Sequence, residues 1–272
     1  MMQQLCITVR FLQPFSHARG DGGEPEWPPS PLRVYQSLIA ASAGRWNERT
    51  CIATAVPALE WLARQSPPTI VAPVGEASSV KYRLYVPDNI ADKVGAAWSR
   101  GNEASIADYR AEKDVRPVHL RGDAVHYLYP IADTAGEFAT HRATLISAAH
   151  SITHVGWGVD MAVGEATVVT EGEVKQLAGE CWRPDASSAK RLRVPIDRTL
   201  PALMKKHQAF LERIVDESFA PVPPLTEFQV VGYRRDTDPV PRPYAAFSIL
   251  QPDASGFRPF DALRQTRDVA GM

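Results

Sequence analysis

Glu26-Trp27-Pro28-Pro29-Ser30-Pro31-Leu32-Arg33-Val34-Tyr35-Gln36-Ser37-Leu38 is the densest local signal in the chain. Proline fixes φ and withholds an N–H, so Pro31 suits the first helical position and Ser30 the cap before it. Val34, Leu38 and Ala41 then recur near helical spacing, which predicts a helix from Pro31 to Ala43 with Gly44 as its C-cap. Upstream, Leu5-Cys6-Ile7-Thr8-Val9-Arg10-Phe11-Leu12 alternates apolar and polar residues and predicts a strand. A Gly/Asp/Glu-rich loop, His17 to Glu26, joins the two.

Working outward, a second helix is predicted from Ala53 or Val56 to Arg64, stopping before Ser66-Pro67-Pro68. Strands are predicted at Thr69–Ala72, Lys81–Pro87, Arg116–Leu120 and Ala124–Pro130, with a helix from Glu137 to Ile152. His154-Val155-Gly156-Trp157-Gly158-Val159-Asp160 leads into a strand ending at Val169. Residues 88–112 are polar and weakly patterned, and read as a loop with some helix. Leu200 to Val215 is amphipathic, with Leu203, Phe210, Leu211 and Ile214 expected inward. Pro221-Val222-Pro223-Pro224 reads as a hinge, Phe228–Tyr233 and Tyr244–Leu250 as closing strands, and Phe260 to Met272 as the start of a helix. This order of strands and helices favours an α+β fold, an antiparallel sheet with helices on one face.

The 272 residues suffice for one large domain or two small ones, at about 100–200 residues each. The composition is 44% hydrophobic and 22% charged with a net charge of -1, which excludes a disordered chain. No apolar run reaches the roughly 18 residues of a membrane helix, and the first ten residues do not read as a targeting peptide. Three cysteines, far apart and odd in number, fit neither a disulfide framework nor a zinc site, so a reducing, cytoplasmic setting is expected.

No phosphate-loop, dinucleotide, metalloprotease or nucleophile-elbow motif is present. Gly20-Asp21-Gly22-Gly23 opens no helix after a strand, and Asp236-Thr237-Asp238 lacks the rest of a calcium loop. The seven histidines show no metal-ligand spacing. They are structural residues or, on a sharper reading, include a general base for RNA cleavage, for which His119, Lys113 and Tyr127 would be the set. Net neutrality leaves room for a local basic surface. From Arg183 to Arg213, eight Lys/Arg face three acids. Lys81–Arg83 and Lys113–Arg121 interleave with Tyr82, Tyr85, Tyr127 and Tyr129, a combination suited to phosphate contact plus base stacking on single-stranded RNA. The alternative is a solvated sheet face with aromatic core residues behind it.

The Glu26–Leu38 segment resembles a stretch of the fused Cas-five/Cas-six proteins of type I-G (formerly I-U) CRISPR systems. Four more stretches agree in order: Tyr85–Asn89, Lys113–Pro117, His154–Asp160, and Leu192–Pro195 followed by Thr199-Leu200 and Lys206–Leu211. The resemblance implies a ferredoxin-like (RRM-related) core over 1–182, with a protruding thumb near 88–112. A basic linker and further strands over 183–272 would lead toward the family's ribonuclease half, expected to be missing here. It implies a subunit of a Cascade surveillance complex that binds the repeat-derived 5′ handle of the crRNA. Its partners would be Cas-seven-like backbone subunits, the large subunit and, indirectly, target DNA, with no membrane. Trp27, Ser30, Arg33, Gln36, Arg83, Lys113, Arg116, His154, Trp157, Arg191 and Arg193 are the RNA-binding candidates. No catalytic residue, metal or cofactor is expected on this chain. The alternative function is a metal-independent endoribonuclease that processes precursor crRNA.

Overall fold

The computed structural model describes residues 3–20, 22–87, 101, 110–131, 136–215, 218–220, 222–239, 251, 253, 255 and 256. The chain forms two units, Met1–Asp238 and Pro239–Met272. In the second, Gln251 N–H donates to the Gly256 carbonyl, and Asp253 accepts from Ser255, closing a turn. The predicted strand at Tyr244–Leu250 and the helix from Phe260 lie outside the described residues.

The first unit is built on β1 (Gln3–Phe11), α1 (Pro31–Arg45), α2 (Val56–Ala63) and β2 (Thr69–Ala72). A ribbon follows, β3 (Tyr82–Pro87) and β4 (Arg110–Val115), then β5 (Ala124–Pro130), α3 (Glu137–Ala149) and β6 (Ala162–Thr170). β7 (Glu180–Pro184), β8 (Arg191–Val194), α4 (Thr199–Leu211) and β9 (Gln229–Arg235) complete the described elements used below. The main sheet has seven strands in the order β8-β9-β7-β2-β5-β1-β6, every neighbouring pair antiparallel. Its centre, β1-α1-β2-β5-α3-β6 with spatial order β2-β5-β1-β6, is the βαββαβ arrangement of a ferredoxin-like fold. Trp182, where the composition shifts, lies within β7 of this sheet.

β1 explains why the core lies where it does. Leu5, Ile7, Val9 and Phe11 point to one face and join Val34, Leu38, Leu145 and Ala149 of the helices. Cys6 points the other way, into a smaller cluster with Val71, Leu128 and Val169. The period of two thus sorts one strand between two apolar layers. Buried hydroxyls are satisfied within the larger layer: Tyr35 donates to the Leu59 carbonyl at 3.1 Å and Tyr233 to that of Pro68 at 3.0 Å.

Several expectations are corrected. Gly44 does not end α1; the helix runs through Arg45, and the Trp46 N–H caps it on the Ser42 carbonyl. Residues 110–112, expected in a loop, belong to β4, with Tyr85 opposite Glu112 and Pro87 opposite Arg110. Most of the expected thumb, 88–100 and 102–109, lies outside the described residues. On α4, which ends at Leu211, two of the residues expected inward are turned out, Phe210 44% and Leu211 60% exposed, while Leu203 is half-buried and Thr199 and Leu200 are buried; Ile214 lies beyond the helix.

Candidate nucleic-acid interface

The entry to α1 is held by a buried carboxylate. Glu26 Oε1 accepts the Ser30 N–H at 2.9 Å and Arg33 Nε at 2.7 Å. Ser30 stands at the N-cap in extended conformation, but its hydroxyl makes no capping bond, so Glu26 holds the Ser30 amide from four residues upstream. The far side of the Arg33 guanidinium donates to the Arg19 carbonyl. The proline segment is core rather than surface. Trp27, joined to Pro28 by a cis peptide, is buried and donates Nε1–H to the Pro73 carbonyl at 3.0 Å. Tyr127, wholly buried, donates to the Pro29 carbonyl at 2.7 Å.

The loop before β6 closes against the same point. Val155 N–H donates to the Asp160 carbonyl and Asp160 N–H to that of Trp157, a tight turn that leaves Trp157 half-buried. Gly156 has φ +84°, and a Cβ there would stand 3.2 Å from an Arg33 terminal nitrogen. Both the left-handed backbone and the close guanidinium favour glycine. Asp160 is buried against His17, with Oδ1 2.5 Å from Nδ1, and the Tyr82 hydroxyl meets His17 Nε2. Burial pushes the Asp160 carboxyl up, and the hydrogen bonds from His17 oppose it. Arg116, at the foot of the ribbon, pairs with Glu24.

β8 packs beside α1, where Leu192 and Val194 enter the core, so Arg191 and Arg193 lie on the opposite sheet face, Arg191 beside Gly232. Arg191 is exposed, and Arg193 stacks over the Phe228 ring at 4.7 Å. Lys190 is half-buried, and burial lowers its ammonium pKa against the opposing pull of Glu26. Arg33, Lys190 and the Trp157 turn therefore meet at one carboxylate-braced helix start, with Arg116 tied to the loop that leads into it, although residues far apart in sequence supply them.

The other candidates fall elsewhere. Gln36 is exposed on α1. Arg83 and Lys113 are exposed on the ribbon, with Arg83 paired to Glu112 at 3.2 Å and Asp114 at 3.7 Å. His154 Nδ1 lies 3.0 Å from the Thr153 hydroxyl. Trp27 and Ser30 are corrected from contacts to frame residues, because both are buried under protein. The set of His119, Lys113 and Tyr127 is not assembled. Tyr127 is enclosed, with its pKa pushed well up by burial, and His119 packs edge-on against Phe15 at 4.9 Å. Of the tyrosines read as interleaved with cations, Tyr82 and Tyr85 are exposed, while Tyr127 and Tyr129 are core. Sequence reasoning missed His17 and Asp160 as partners; 143 positions separate them. Among the described residues, no group of three His, Cys, Asp or Glu could hold a metal ion, and no helix is long and apolar enough to cross a membrane.

Such a surface can take an anionic chain: cations held by carboxylates, with a half-exposed indole for stacking. No curated protein matches the chain. A crystal structure of a CRISPR protein from Archaeoglobus fulgidus is similar at 12% identity. The match covers 71% of this chain and 68% of that one, with a TM-score of 0.32, too loose to carry an argument. A family model, by contrast, matches residues 5–272. On that match, the chain belongs to the GSU0054 family of CRISPR-associated proteins.

Proposed function

We propose that this chain is the subunit of a type I-G Cascade complex that grips the repeat-derived 5′ handle of the crRNA and caps the backbone filament, supporting DNA interference. Family membership supports a role in a CRISPR system. The observation that carries the finer reading is the meeting of Arg33, Lys190 and the Trp157 turn at the start of α1, with Arg116 tied to the same loop through Glu24. Phosphates would meet the cations and a splayed base would stack on Trp157. Arg83 and Lys113 on the ribbon would follow the strand outward, toward Cas-seven-like backbone subunits and the large subunit, with target DNA engaged indirectly. The complex would work in the cytoplasm.

The test is binding of repeat-derived RNA to the purified chain. Arg116→Glu and Trp157→Ala are each expected to weaken it about 5–30-fold, for a loss of about 1–2 kcal/mol. Unchanged affinity in both variants would refute the placement. The same incubation with a chelator tests the endoribonuclease alternative: a 2′,3′-cyclic phosphate product would favour it.

A further inference from the structure

His17 lies among the proposed RNA contacts without being one, and it joins two of the segments that carry them, the Trp157 turn and the ribbon. Its backbone N–H donates to both Asp160 oxygens, at 2.9 and 3.1 Å, and its Nδ1 lies 2.5 Å from Oδ1. Its Nε2 meets the Tyr82 hydroxyl, the two rings standing edge-on at 87°. Asp160 closes the turn that holds Trp157. Tyr82 is the first residue of β3, opposite the buried Val115 at the root of the ribbon.

A buried carboxylate–imidazole pair, extended to an exposed phenol, is a costly way to fill space. Removing a carboxylate from water costs several kcal/mol unless well-placed partners compensate, and apolar side chains of the same volume would pack without that cost. What the polar chain adds is direction, because each bond tolerates only a narrow range of angle and distance. Other ties at the root of the ribbon are the Arg116–Glu24 pair and the Ser78 N–H bond to the Pro117 carbonyl. Its side chains Lys81 to Arg83, Tyr85 and Glu112 to Asp114 are exposed, and the core hold at its root is Val115.

We infer that His17 is a positioning residue, fixing the root of the β3–β4 ribbon and the Trp157 turn in one relation to the sheet so that a single RNA strand can meet both. The RNA consequence rests on the proposed function, whereas the anchoring itself does not.

Hydrogen exchange on the full chain without RNA tests the anchoring. Tyr82→Phe deletes one hydroxyl at the exposed end of the chain of bonds, and His17→Ala removes its middle. Both are expected to speed exchange of the 110–115 amides about tenfold while amides of β1 and β5 stay protected. His17→Gln, which keeps a polar end, should restore part of the protection. Unchanged exchange at 110–115 in Tyr82→Phe overturns the inference, and that variant carries the test if His17→Ala fails to fold. RNA binding is then measured on the same proteins. Affinity should fall about 3–10-fold in Tyr82→Phe, and adding Arg83→Ala should cost less there than in the unmodified chain. Faster exchange with full RNA affinity would overturn the role in RNA positioning. An unmodified chain that binds no RNA would overturn the proposed function while leaving the anchoring intact.

Discussion

Replacing Glu26 with Gln separates the stability of the candidate site from its charge. Glu26 is 7% exposed, and one oxygen accepts from both the Ser30 amide and Arg33 Nε. A glutamine can present its carbonyl oxygen at the same place, so both bonds survive without the charge. Hydrogen bonds to a charged group contribute about 1.5–3 kcal/mol and neutral ones about 1. Weakening two of them, with Arg33 only 19% exposed, therefore costs about 1–2 kcal/mol after allowance for non-additivity. For a domain of this size, that lowers Tm by roughly 2–8 °C. Glu26→Ala also strands a buried amide and leaves the guanidinium without its carboxylate, so the loss should reach about 3–5 kcal/mol. Thermal unfolding followed by circular dichroism reads both variants. RNA affinity should move oppositely in the Gln variant, holding or rising about twofold, because a negative charge leaves the neighbourhood of Arg33 and Lys190. An unchanged Tm would refute the bracing role. A folded Gln variant that bound RNA several-fold more weakly would refute the placement of the cations on the RNA side.

Gly75→Ala would put a Cβ 2.5 Å from Trp27 Cδ1 and 2.6 Å from Nε1; with the indole enclosed, the expected loss is about 1–3 kcal/mol, read as a lower urea midpoint at unchanged m. Tyr127→Phe leaves the buried Pro29 carbonyl without its donor and should cost about 1–3 kcal/mol in the same assay. His126 is held below its ordinary pKa of 6.5 by burial and then by Arg10. The folded state therefore favours the neutral ring, and the contribution is full above pH 6.5 and is lost as pH falls toward the lower folded value. Unfolding free energies between pH 7.5 and pH 5 should consequently fall less steeply in His126→Gln than in the unmodified chain.

What the sequence made legible follows from where local physics is decisive. β1 and β5 alternate because one face meets the helices, and both were readable to within two residues. α1 began where Pro31 required. Its end was not legible, because packing around Ser42 and Trp46 outweighed the intrinsic preference of Gly44 to stop a helix. β4 was missed for a related reason. Arg-Ala-Glu-Lys-Asp-Val carries no apolar alternation, since both faces of the ribbon meet solvent and only its pairing with β3 makes it a strand. The α4 stripe shows the converse: a helical period marks a face without saying what covers it. At the candidate site, Arg33, Gly156 and Trp157 stand in unusual local sequence. Trp27, read with the proline segment as an RNA contact, is enclosed because its pocket is made by distant Pro73 and Gly75. The His17–Asp160 pair had no local signal, because it exists only once β1 and β6 have paired and brought the two loops together.

The most direct measurement of the central claim is the RNA content of the complex formed when this chain is co-expressed with the genes beside it and a repeat array, then purified through a tag on this chain. The account predicts a short guide transcript with an intact repeat-derived 5′ end, together with backbone subunits. The RNA should be depleted when Arg116 is changed to Glu and Trp157 to Ala together. Recovery of the chain free of both RNA and backbone subunits would contradict it.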